Sequence, residues 1–471
     1  MRKTKIVCTI GPASESPEVF RALLLAGMDV ARLNFSHGTM DEHLARIRAA
    51  RKAAQDLKRN LALLLDIQGP KIRLGTIKSG STFLESGAEY TLTVDPYLGD
   101  GQKAHVDYPY LHRDLRPGAV IYIDDGLLEL RVMKIKGPDV VCRVVVGGEL
   151  SSRKGLSLPG VNVDLPPITK EDEEHIKFGV LHGVDFIAAS FVRQASDVQI
   201  VRRIIQEAGG TQKIISKIES NVGLRNIDKI IDVSDGIMVA RGDLGVEIPA
   251  EEVPLVQKML IRKCNLAGKP VITATQMLDS MIRNPRPTRA EVTDVSTAIF
   301  AGTDAVMLSG ETAVGAYPVR AVQIMDKIAR RTEQVLDYSA LLQEKIREGR
   351  TAIDQAISLA ACQAARDLEL KVIICSTSSG ATARSISQKR PKAVIFATSP
   401  NEQVVRQLAL VWGVCPVCVK PSFLIEEIIE NAVIKAKQRE LVESGDVVTV
   451  VSGVKVGEAG GTNLMQIHKV E

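Results

Sequence analysis

The first two-thirds of the chain alternates short aliphatic runs with amphipathic stretches of helical length. Eight such runs occur, at residues 5–10, 30–36, 61–67, 185–191, 213–219, 235–241, 270–276 and 304–310. Their high content of valine, isoleucine and leucine is typical of parallel strands that are covered on both faces. Segments between them, such as 42–58, 196–208 and 251–267, carry apolar residues at helical spacing. Eight strand–helix units predict a (β/α)8 TIM barrel.

The pattern breaks between about residues 69 and 166. This stretch has many glycines, no long helical pattern, and alternating strands predicted at 90–94, 120–123, 127–135 and 140–146. Turn residues stand at its start (Gly69, Pro70) and at its end (Pro166, Pro167). We therefore predict a small all-β domain, over residues 70–165, inserted after the third barrel strand.

A third pattern follows the eighth unit. A helix predicted at 318–336 leads into a polar stretch at 338–350, and strands are then predicted at 372–377, 393–398, 415–419, 446–452 and 463–470. Strands that alternate with helices predict an open α/β sheet. The predicted domains are 1–69 and 166–337 for the barrel, 70–165 for the insert and 338–471 for the C-terminal domain. The fold class is α/β.

Charge and composition exclude some kinds of partner. The 471 residues carry 60 basic and 56 acidic side chains, a net charge of +4, which indicates neither a nucleic-acid nor a membrane partner. Neither a signal peptide nor a transmembrane run is present, and the seven cysteines are scattered, so we expect a cytoplasmic protein. Cys415 and Cys418 form a CxxC pair without a second pair, and we interpret them as strand residues rather than zinc ligands.

Polar side chains follow nearly every predicted barrel strand. Barrel enzymes place their catalytic groups at these carboxyl ends. Glu219 and Asp243, at two adjacent strand ends, form a hard-oxygen pair that suits Mg²⁺ or Mn²⁺. A pair of salt-bridging acids at the barrel rim is the alternative. Lys217 points to the same face of its strand as Glu219, where it could neutralise a transferring phosphoryl group.

Two further features indicate the kind of substrate. Arg32, at the end of the second strand, could hold a phosphate with its planar guanidinium group, although a lone arginine in a barrel is more often part of a structural ion pair. The sequence from Arg241 through Gly242 to Asp243 predicts a tight turn into a helix, whose free N–H groups would bind a carboxylate. The rim therefore favours a small molecule with both a carboxylate and a phosphate.

Long motifs resemble those of the pyruvate kinases. ARLNFSHG stands at residues 31–38, SKIE at 216–219, DGIMVARGDLGVEIP at 235–249, ATQML at 274–278 and MLSGET at 307–312. The similarity runs from the first strand to the C-terminus and includes KGLSLPG at 154–160. The resemblance implies transfer of the phosphoryl group of phosphoenolpyruvate to ADP, giving ATP and pyruvate, the last step of glycolysis.

The resemblance also implies residue roles. Glu219 and Asp243 would hold Mg²⁺ or Mn²⁺, Lys217 would stabilise the transferring group, and Arg32 would grip the phosphate with help from Arg73. The amides of Gly242 and Asp243, with Thr275, would hold the carboxylate, and Thr275 or a water chain near Ser309 would deliver the proton. The insert would act as a lid over ADP and a second Mg²⁺. Nucleotide contacts are expected from Arg73, Lys154, His37 and Asn34.

One position departs from the family pattern. Many members carry a glutamate shortly after the third strand and bind K⁺ through residues that match Asn34, Ser36, Asp66 and the carbonyl of Ile67. Here Lys71 stands in place of that glutamate. A lysine can supply the positive charge internally, so we predict activity without added K⁺. The retained ligands leave weak cation binding open.

The C-terminal domain resembles the family's effector domain. Thr377, Ser378, Ser379, Gly380 and Thr382 form a loop between a predicted strand and helix, which suits phosphate binding, although an ordinary helix cap would have the same residues. Members activated by fructose bisphosphate carry a lysine where Ser378 stands. AMP, or a hexose or pentose phosphate, is at least as plausible an effector. Relatives are homotetramers, and we expect the same here.

Two other functions fit parts of the pattern. A metal-dependent lyase would also use a Glu–Asp metal pair, but it needs neither Lys217 nor a β-domain over a nucleotide. A catalytically silent sugar-phosphate sensor would be expected to have lost some of the five rim residues, yet all five are present: Arg32, Lys217, Glu219, Asp243 and Thr275.

Overall fold

The eight aliphatic runs form a closed parallel barrel in the computed structural model, which describes residues 1–161, 163–347, 352–422, 424–453 and 461–471. Each barrel strand pairs with the next along the chain, and the eighth pairs with the first. The strands are Lys5–Thr9, Val30–Asn34, Ala62–Asp66, Phe186–Ala189, Lys213–Ile218, Gly236–Ala240, Val271–Ala274 and Ala305–Leu308. All eight predicted strands are confirmed; each is one or two residues shorter at its carboxyl end than predicted, and several also start one residue later.

Helices cover the outside of the barrel. They are Pro17–Ala26, Met40–Asp56, Lys170–Leu181, Ala195–Glu207, Asn221–Arg225, Ile227–Val233, Arg241–Glu247, Val253–Ala267, Arg289–Phe300, Gly310–Ala313 and Pro318–Glu333, with 3-10 turns at Ala250–Glu252 and Asp279–Ile282. Several begin at a capping box, in which a threonine and an acidic residue three positions later satisfy each other's backbone N–H groups, as Thr39 and Glu42 do. These caps fix where each helix starts relative to the strand before it.

The inserted domain consists of two sheets in which most neighbouring strands are antiparallel. Its strands are Ile72–Arg73, Ser81–Leu84, Glu89–Thr93, Lys103–His105, Val120–Ile123, Leu128–Lys136, Asp139–Val146, Gly148–Ser151 and Gly155–Ser157. Seven of them form one sheet and two form a small second sheet, with a single four-residue helix at Leu111–Asp114. The four predicted strands are present within one residue, and the domain has its own buried core.

The C-terminal domain is an open five-stranded sheet between helices. Its strands, Val372–Ser376, Val394–Ser399, Val414–Cys418, Val447–Gly453 and Thr462–Lys469, lie in the order third, second, first, fourth, fifth, and only the fifth is antiparallel to its neighbour. Its helices are Tyr338–Arg347, Ile353–Asp367, Ala381–Ser387, Glu402–Gln407 and Ile425–Gln438, with a 3-10 turn at Leu408–Leu410. Cys415 and Cys418 are free thiols along the third strand.

The polar stretch predicted at 338–350 was wrong over its described part. Residues Tyr338–Arg347 form a helix, in which Leu342 is buried against the C-terminal core. Leu342 and Ile346, four residues apart, pack on the same core, so the apolar spacing of a helix is present among the polar residues. Residues 348–350 lie outside the described residues.

The C-terminal domain closes the amino-terminal end of the barrel. Leu410 is fully buried in the cluster that fills the barrel interior. Around it, Arg406 pairs with Asp185 at 2.8 Å and Arg390 pairs with Asp304 at 3.0 Å. These contacts seal the end of the barrel that barrel enzymes do not use for chemistry, and they leave the carboxyl-end rim free.

Candidate active site

Lys217 lies at the centre of a buried polar cluster at the carboxyl end of the barrel. Its Nζ is 2.7 Å from Ser190 Oγ, 3.0 Å from Glu219 Oε1 and 3.2 Å from Asp66 Oδ1. Ser190 in turn donates a hydrogen bond to the carbonyl of Ile67 at 2.7 Å. Three different strand ends therefore hold one ammonium group in place.

Mutual pairing decides the charge state of this cluster. Burial by itself would lower the pKa of the Lys217 ammonium, but the carboxylates of Asp66 and Glu219 outweigh burial and raise this pKa above its usual value. Burial raises the pKa of Glu219 to about 7, with Asp243 adding to the rise and Lys217 opposing it. The lysine is consequently a permanent positive charge at neutral pH.

Arg32 stands beside the same cluster. Its Nε donates to Asp66 Oδ2 at 2.6 Å, and its Nη1 donates to Thr9 Oγ1 at 2.9 Å. Its Nη2 donates to no group among the described residues. Burial opposes ionisation of Asp66, but Arg32 and Lys217 together lower the pKa of its carboxyl group. Asp66 thus orients two cations and leaves one edge of the guanidinium group for an anion.

A strained turn faces this cluster from the sixth and seventh strands. Thr275 and Gln276 have φ angles of 68° and 53°, in the left-handed region that non-glycine residues rarely adopt. The Gly242 N–H donates to Thr275 Oγ1 at 2.9 Å, which ties the turn at Arg241–Glu247 to this threonine. The hydroxyl and the amide of the predicted carboxylate site therefore lie side by side.

Arg241 holds that turn, which sequence reasoning did not foresee. Its guanidinium donates to the carbonyls of Ala274 and Thr275, at 3.1 and 2.5 Å, and its Nη1 lies 2.7 Å from both carboxylate oxygens of Asp294. The only sequence signal was its place at a strand end. The structure shows it as a support for the strained backbone rather than as a ligand-facing group.

The metal ligands inferred from sequence fit a hard cation that keeps other oxygen ligands. Glu219 is buried, and its Oε2 accepts from the N–H of Phe191 at 2.6 Å, which fixes the orientation of the carboxylate. Asp243 lies 3.6 Å from Lys71 Nζ. Within the described ranges, no group of three or more His, Cys, Asp or Glu residues could hold a metal. Two carboxylates completed by water and substrate oxygens are the arrangement that Mg²⁺ accepts.

The expected K⁺ ligands lie close to the same strand ends. Asp66 is committed to Arg32 and Lys217, the Ile67 carbonyl accepts from Ser190, and Asn34 Oδ1 accepts from the Ser36 N–H at 3.3 Å. The Lys71 ammonium is directed at Asp243. The positive charge of the lysine therefore reaches the rim itself.

The expected nucleotide contacts are spread over the rim and the insert. Lys154 pairs with Asp124 at 2.9 Å, within the insert, and Arg73 Nη1 donates to the Arg153 carbonyl at 3.4 Å. His37 is exposed just after the second strand. The structure does not bring Arg73 or Lys154 into contact with the Lys217 cluster.

Ser309 is held in place by Glu311, a buried acid two residues further along the chain. Glu311 accepts from the Ser309 N–H at 2.7 Å and from the Leu278 N–H at 3.0 Å. Burial raises the pKa of this carboxyl group, and these backbone donors oppose the rise. The carboxylate therefore ties Ser309, at the end of the eighth strand, to Leu278 in the loop after the seventh strand.

The loop that was expected to bind an effector follows the first strand of the open sheet. Thr377 Oγ1 accepts from the Gly380 N–H at 2.9 Å, and Gly380 has a φ of 81° that suits glycine. Thr382 shares a 2.6 Å hydrogen bond with Thr462, while Ser378 is exposed. The loop is a preformed turn whose exposed edge carries Ser378.

Two known protein families match the sequence of this chain, one over the barrel and one over the C-terminal domain. A family described as "Pyruvate kinase, barrel domain" matches residues 1–322, and one described as "Pyruvate kinase, alpha/beta domain" matches residues 355–468. In the described parts of the chain, every helix is too short or too polar to span a lipid bilayer.

Individual relatives agree along the whole length. The chain is 51% identical to a pyruvate kinase from Sporosarcina psychrophila over 476 residues, covering all of this chain and 81% of the relative. It is 51% identical over 472 residues to one from Geobacillus stearothermophilus, covering 100% of this chain and 80% of that relative. The crystal structure of a pyruvate kinase from Cryptosporidium parvum superposes with a TM-score of 0.95 at 41% identity, covering 100% of this chain and 96% of that one. The chain therefore belongs to the pyruvate kinase family, enzymes that transfer a phosphoryl group from phosphoenolpyruvate to ADP.

Proposed function

We propose that the transferring phosphoryl group lies between Arg32 and Lys217. The observation that carries this proposal is the Lys217 ammonium, which two carboxylates hold in its charged form. A fixed cation in a water-poor site stabilises the charge that develops on a phosphoryl group far more than a cation in water does. The open edge of the Arg32 guanidinium supplies a second donor to the same group.

Glu219 and Asp243 are the residues that hold the divalent metal. The family generally uses Mg²⁺, and these two hard-oxygen ligands suit it, or Mn²⁺. When bound, the metal supplies positive charge to anionic oxygens of the substrates. The Phe191 N–H keeps Glu219 oriented for this role, since an outer hydrogen bond fixes a metal-binding carboxylate.

The substrate carboxylate lies against the turn at Gly242 and Asp243. The Gly242 N–H donates to the Thr275 hydroxyl, which donates to the Ala274 carbonyl, so the two groups lie together and would turn to the carboxylate when substrate binds. Protonation of the enolpyruvate carbon then comes from Thr275 or through water near Ser309, because these residues follow the adjacent seventh and eighth barrel strands.

The insert, residues 70–165, serves as a lid. Its first strand, Ile72–Arg73, pairs with the strand Gly155–Ser157, and Lys154 immediately precedes that strand. On closure, Arg73 and Lys154 would meet the phosphates of ADP and its Mg²⁺, with Asn34 and His37 below them. Closure excludes water, which would otherwise hydrolyse the phosphoryl group.

Activity without K⁺ is the first expected result. Pyruvate formation from phosphoenolpyruvate, ADP and Mg²⁺ should be unchanged when tetramethylammonium replaces K⁺, because the Lys71 ammonium already lies 3.6 Å from Asp243. Lys71→Glu should lose about tenfold or more in kcat/KM without K⁺ and recover when K⁺ is added, since a cation then has to replace the lost charge. Lys177→Glu, on an exposed helix face, is the matched control.

Two outcomes of this assay separate the ideas. If the unaltered protein required K⁺, Lys71 would not replace this cation, but the kinase function would still hold. Failure to form pyruvate under either condition, with folded protein, would contradict the assignment of the rim as the site of transfer.

A phosphorylated metabolite acts through the loop of the C-terminal domain. The preformed turn from Thr377 to Thr382 and its exposed Ser378 support this role. AMP, glucose 6-phosphate or ribose 5-phosphate is the expected effector. The enzyme is expected to work as a homotetramer.

A charge reversal at the loop tests the effector site. Ser378→Asp should weaken the response of the KM for phosphoenolpyruvate to these effectors by about tenfold, because a carboxylate would face the phosphate. Ser378→Ala, which removes only the hydroxyl, is the control and should respond nearly as the unaltered protein does. An equal response of the Asp variant would place effector binding elsewhere.

A further inference from the structure

A second cavity lies at the opposite end of the barrel from the Lys217 cluster. It has a volume of about 490 Å³ and lies between the amino-terminal ends of the barrel strands and the helix Ala381–Ser387. Lys213, Asp235 and Lys269 line it from the barrel, and Arg384 and Ser385 line it from the C-terminal domain. A cavity of this size at a domain interface is typical of small-molecule sites.

The cavity carries more positive than negative charge. Asp235 is already shared between Arg202, at 2.8 Å, and Lys213, at 3.2 Å. Lys269 donates to the Ser234 carbonyl at 2.6 Å, and Arg384 donates to the Ser379 carbonyl at 3.2 Å, so among the described residues neither cation has a carboxylate within ion-pair distance.

Lys269 and Arg384 both line the cavity, and their charges repel each other. Burial lowers the pKa of Lys269, and Arg202 and Arg384 lower it further against the pull of Asp235. Burial likewise lowers the pKa of Arg384, with Asp235 alone opposing. An anion between the two groups would relieve this repulsion.

The Ser385 hydroxyl points to a ligand independently of charge. Ser385 is only 7% exposed and lines the cavity, yet its Oγ has no hydrogen-bond partner in the described chain. Buried hydroxyls are nearly always hydrogen-bonded, because an unpaired one costs free energy. A ligand oxygen in the cavity would satisfy it.

We propose that this cavity binds a phosphate monoester of a polyhydroxylated molecule, such as a sugar phosphate. Lys269 and Arg384 face the dianionic phosphate and Ser385 hydrogen-bonds to it. Asp354 and Gln355, also in the lining, match hydroxyl groups, because one accepts hydrogen bonds and the other both donates and accepts them. Ser378 is not in the lining of this cavity, whereas Ala381, at the end of the same loop, is. Arg384 lines the cavity and also donates to the Ser379 carbonyl of the loop.

Binding at this site would join the two domains. The ligand would connect the barrel, through Lys269, to the helix whose Arg384 holds the effector loop. The strand Gly236–Ala240 starts beside Asp235 in the cavity and ends at Arg241 beside the active site. Only the docked arrangement of the domains presents all three groups, so the ligand should raise the melting temperature.

The test uses the full chain carrying Ser378→Asp, which weakens the loop site. Glucose 6-phosphate and inorganic phosphate are titrated separately by calorimetry, and the melting temperature is followed in parallel. Glucose 6-phosphate should still bind. Lys269→Met should weaken binding by about tenfold. Ser385→Ala should weaken it several-fold without lowering the melting temperature of the free protein, because no existing hydrogen bond is removed.

A control variant and three possible results test whether the cavity is the binding site. Lys258→Met, on an exposed face of the preceding helix, is the control for a lost lysine charge and should bind normally. Equal binding by all variants, or binding that disappears with Ser378→Asp alone, would overturn the site. If inorganic phosphate bound as tightly as glucose 6-phosphate, the proposal that the cavity also recognises the hydroxyl groups of the ligand would be wrong. Since pyruvate formation is measured on the same proteins, these results are independent of the catalytic assignment.

Discussion

Replacing Lys217 with methionine is expected to lower kcat by about 10³-fold, with a much smaller change in the KM for phosphoenolpyruvate. Methionine keeps most of the length of the side chain but removes the ammonium that lies within 3.2 Å of Asp66, Glu219 and Ser190. The loss should fall on kcat because the charge on the phosphoryl oxygens changes during transfer, and the fixed cation responds to that change.

The same substitution should separate the two halves of the reaction. Phosphoryl transfer needs Lys217, whereas protonation at the enolpyruvate carbon is assigned to Thr275 or to water near Ser309. The Lys217→Met variant should therefore still exchange the methyl protons of pyruvate with deuterium, measured by NMR in the presence of Mg²⁺ and ATP. Loss of both activities in a folded variant would contradict the division of roles.

Stability needs a separate measurement in this experiment. Removing the cation takes one of the two ion pairs from Asp66 and leaves Glu219 with only the Phe191 N–H among the described residues, and breaking such a buried pair costs about 3–5 kcal/mol. Lys217→Arg keeps the charge and provides a second variant if the methionine variant unfolds. Lys263→Met, where the lysine pairs with the exposed Asp228, is the control and should change neither kcat nor the melting temperature appreciably.

The barrel was predictable because each of its strands is buried on both faces. Such strands show as uninterrupted aliphatic runs, and the abrupt change to polar residues at each end marks the rim. Glu219 and Lys217 could be placed together for the same reason, since residues two apart on a strand share a face. The helix at Tyr338–Arg347 was missed because its polar residues obscured the helical spacing of Leu342 and Ile346, which pack on the C-terminal core.

Contacts between the ends of strands that are distant in the chain could not be predicted from the sequence. Asp66 was expected only as a K⁺ ligand, yet it bridges Arg32 and Lys217, which stand on the second and fifth strands. Ser190 falls at the end of the fourth strand but gave no chemical signal of its own, because its role depends on facing Lys217 and the Ile67 carbonyl. Closure of the barrel, rather than any local pattern, creates both arrangements.

The contacts of Arg241 could not be predicted from the sequence either, although its substitution is expected to have a large effect on activity. Its guanidinium binds the Ala274 and Thr275 carbonyls and Asp294, and so supports a turn in which two successive residues have positive φ angles. Strained backbone of this kind persists only where its surroundings hold it in place. Arg241 is accordingly a positioning residue, which acts on the substrate through the Thr275 hydroxyl and the Gly242 amide.

Substitution of Arg241 by lysine is expected to lower kcat/KM for phosphoenolpyruvate by about 10²-fold, because a small displacement of positioned groups costs that much. Lysine keeps the charge and can still reach Asp294, but one ammonium group cannot also bind two carbonyls in the fixed geometry of a guanidinium. The loss should appear mainly in the KM for phosphoenolpyruvate, since the carboxylate site is disturbed, while the KM for ADP should stay within about twofold.

An exposed arginine provides the control for the Arg241→Lys experiment. Arg262→Lys, on an exposed face of the helix Val253–Ala267, should leave both Michaelis constants unchanged. A purely structural role for Arg241 would lower the melting temperature and reduce the amount of active enzyme, but the surviving enzyme would keep its KM for phosphoenolpyruvate. An unchanged KM beside a lower melting temperature would therefore show that the strained turn does not depend on Arg241. A raised KM at an unchanged KM for ADP would show that this arginine holds the carboxylate site in shape.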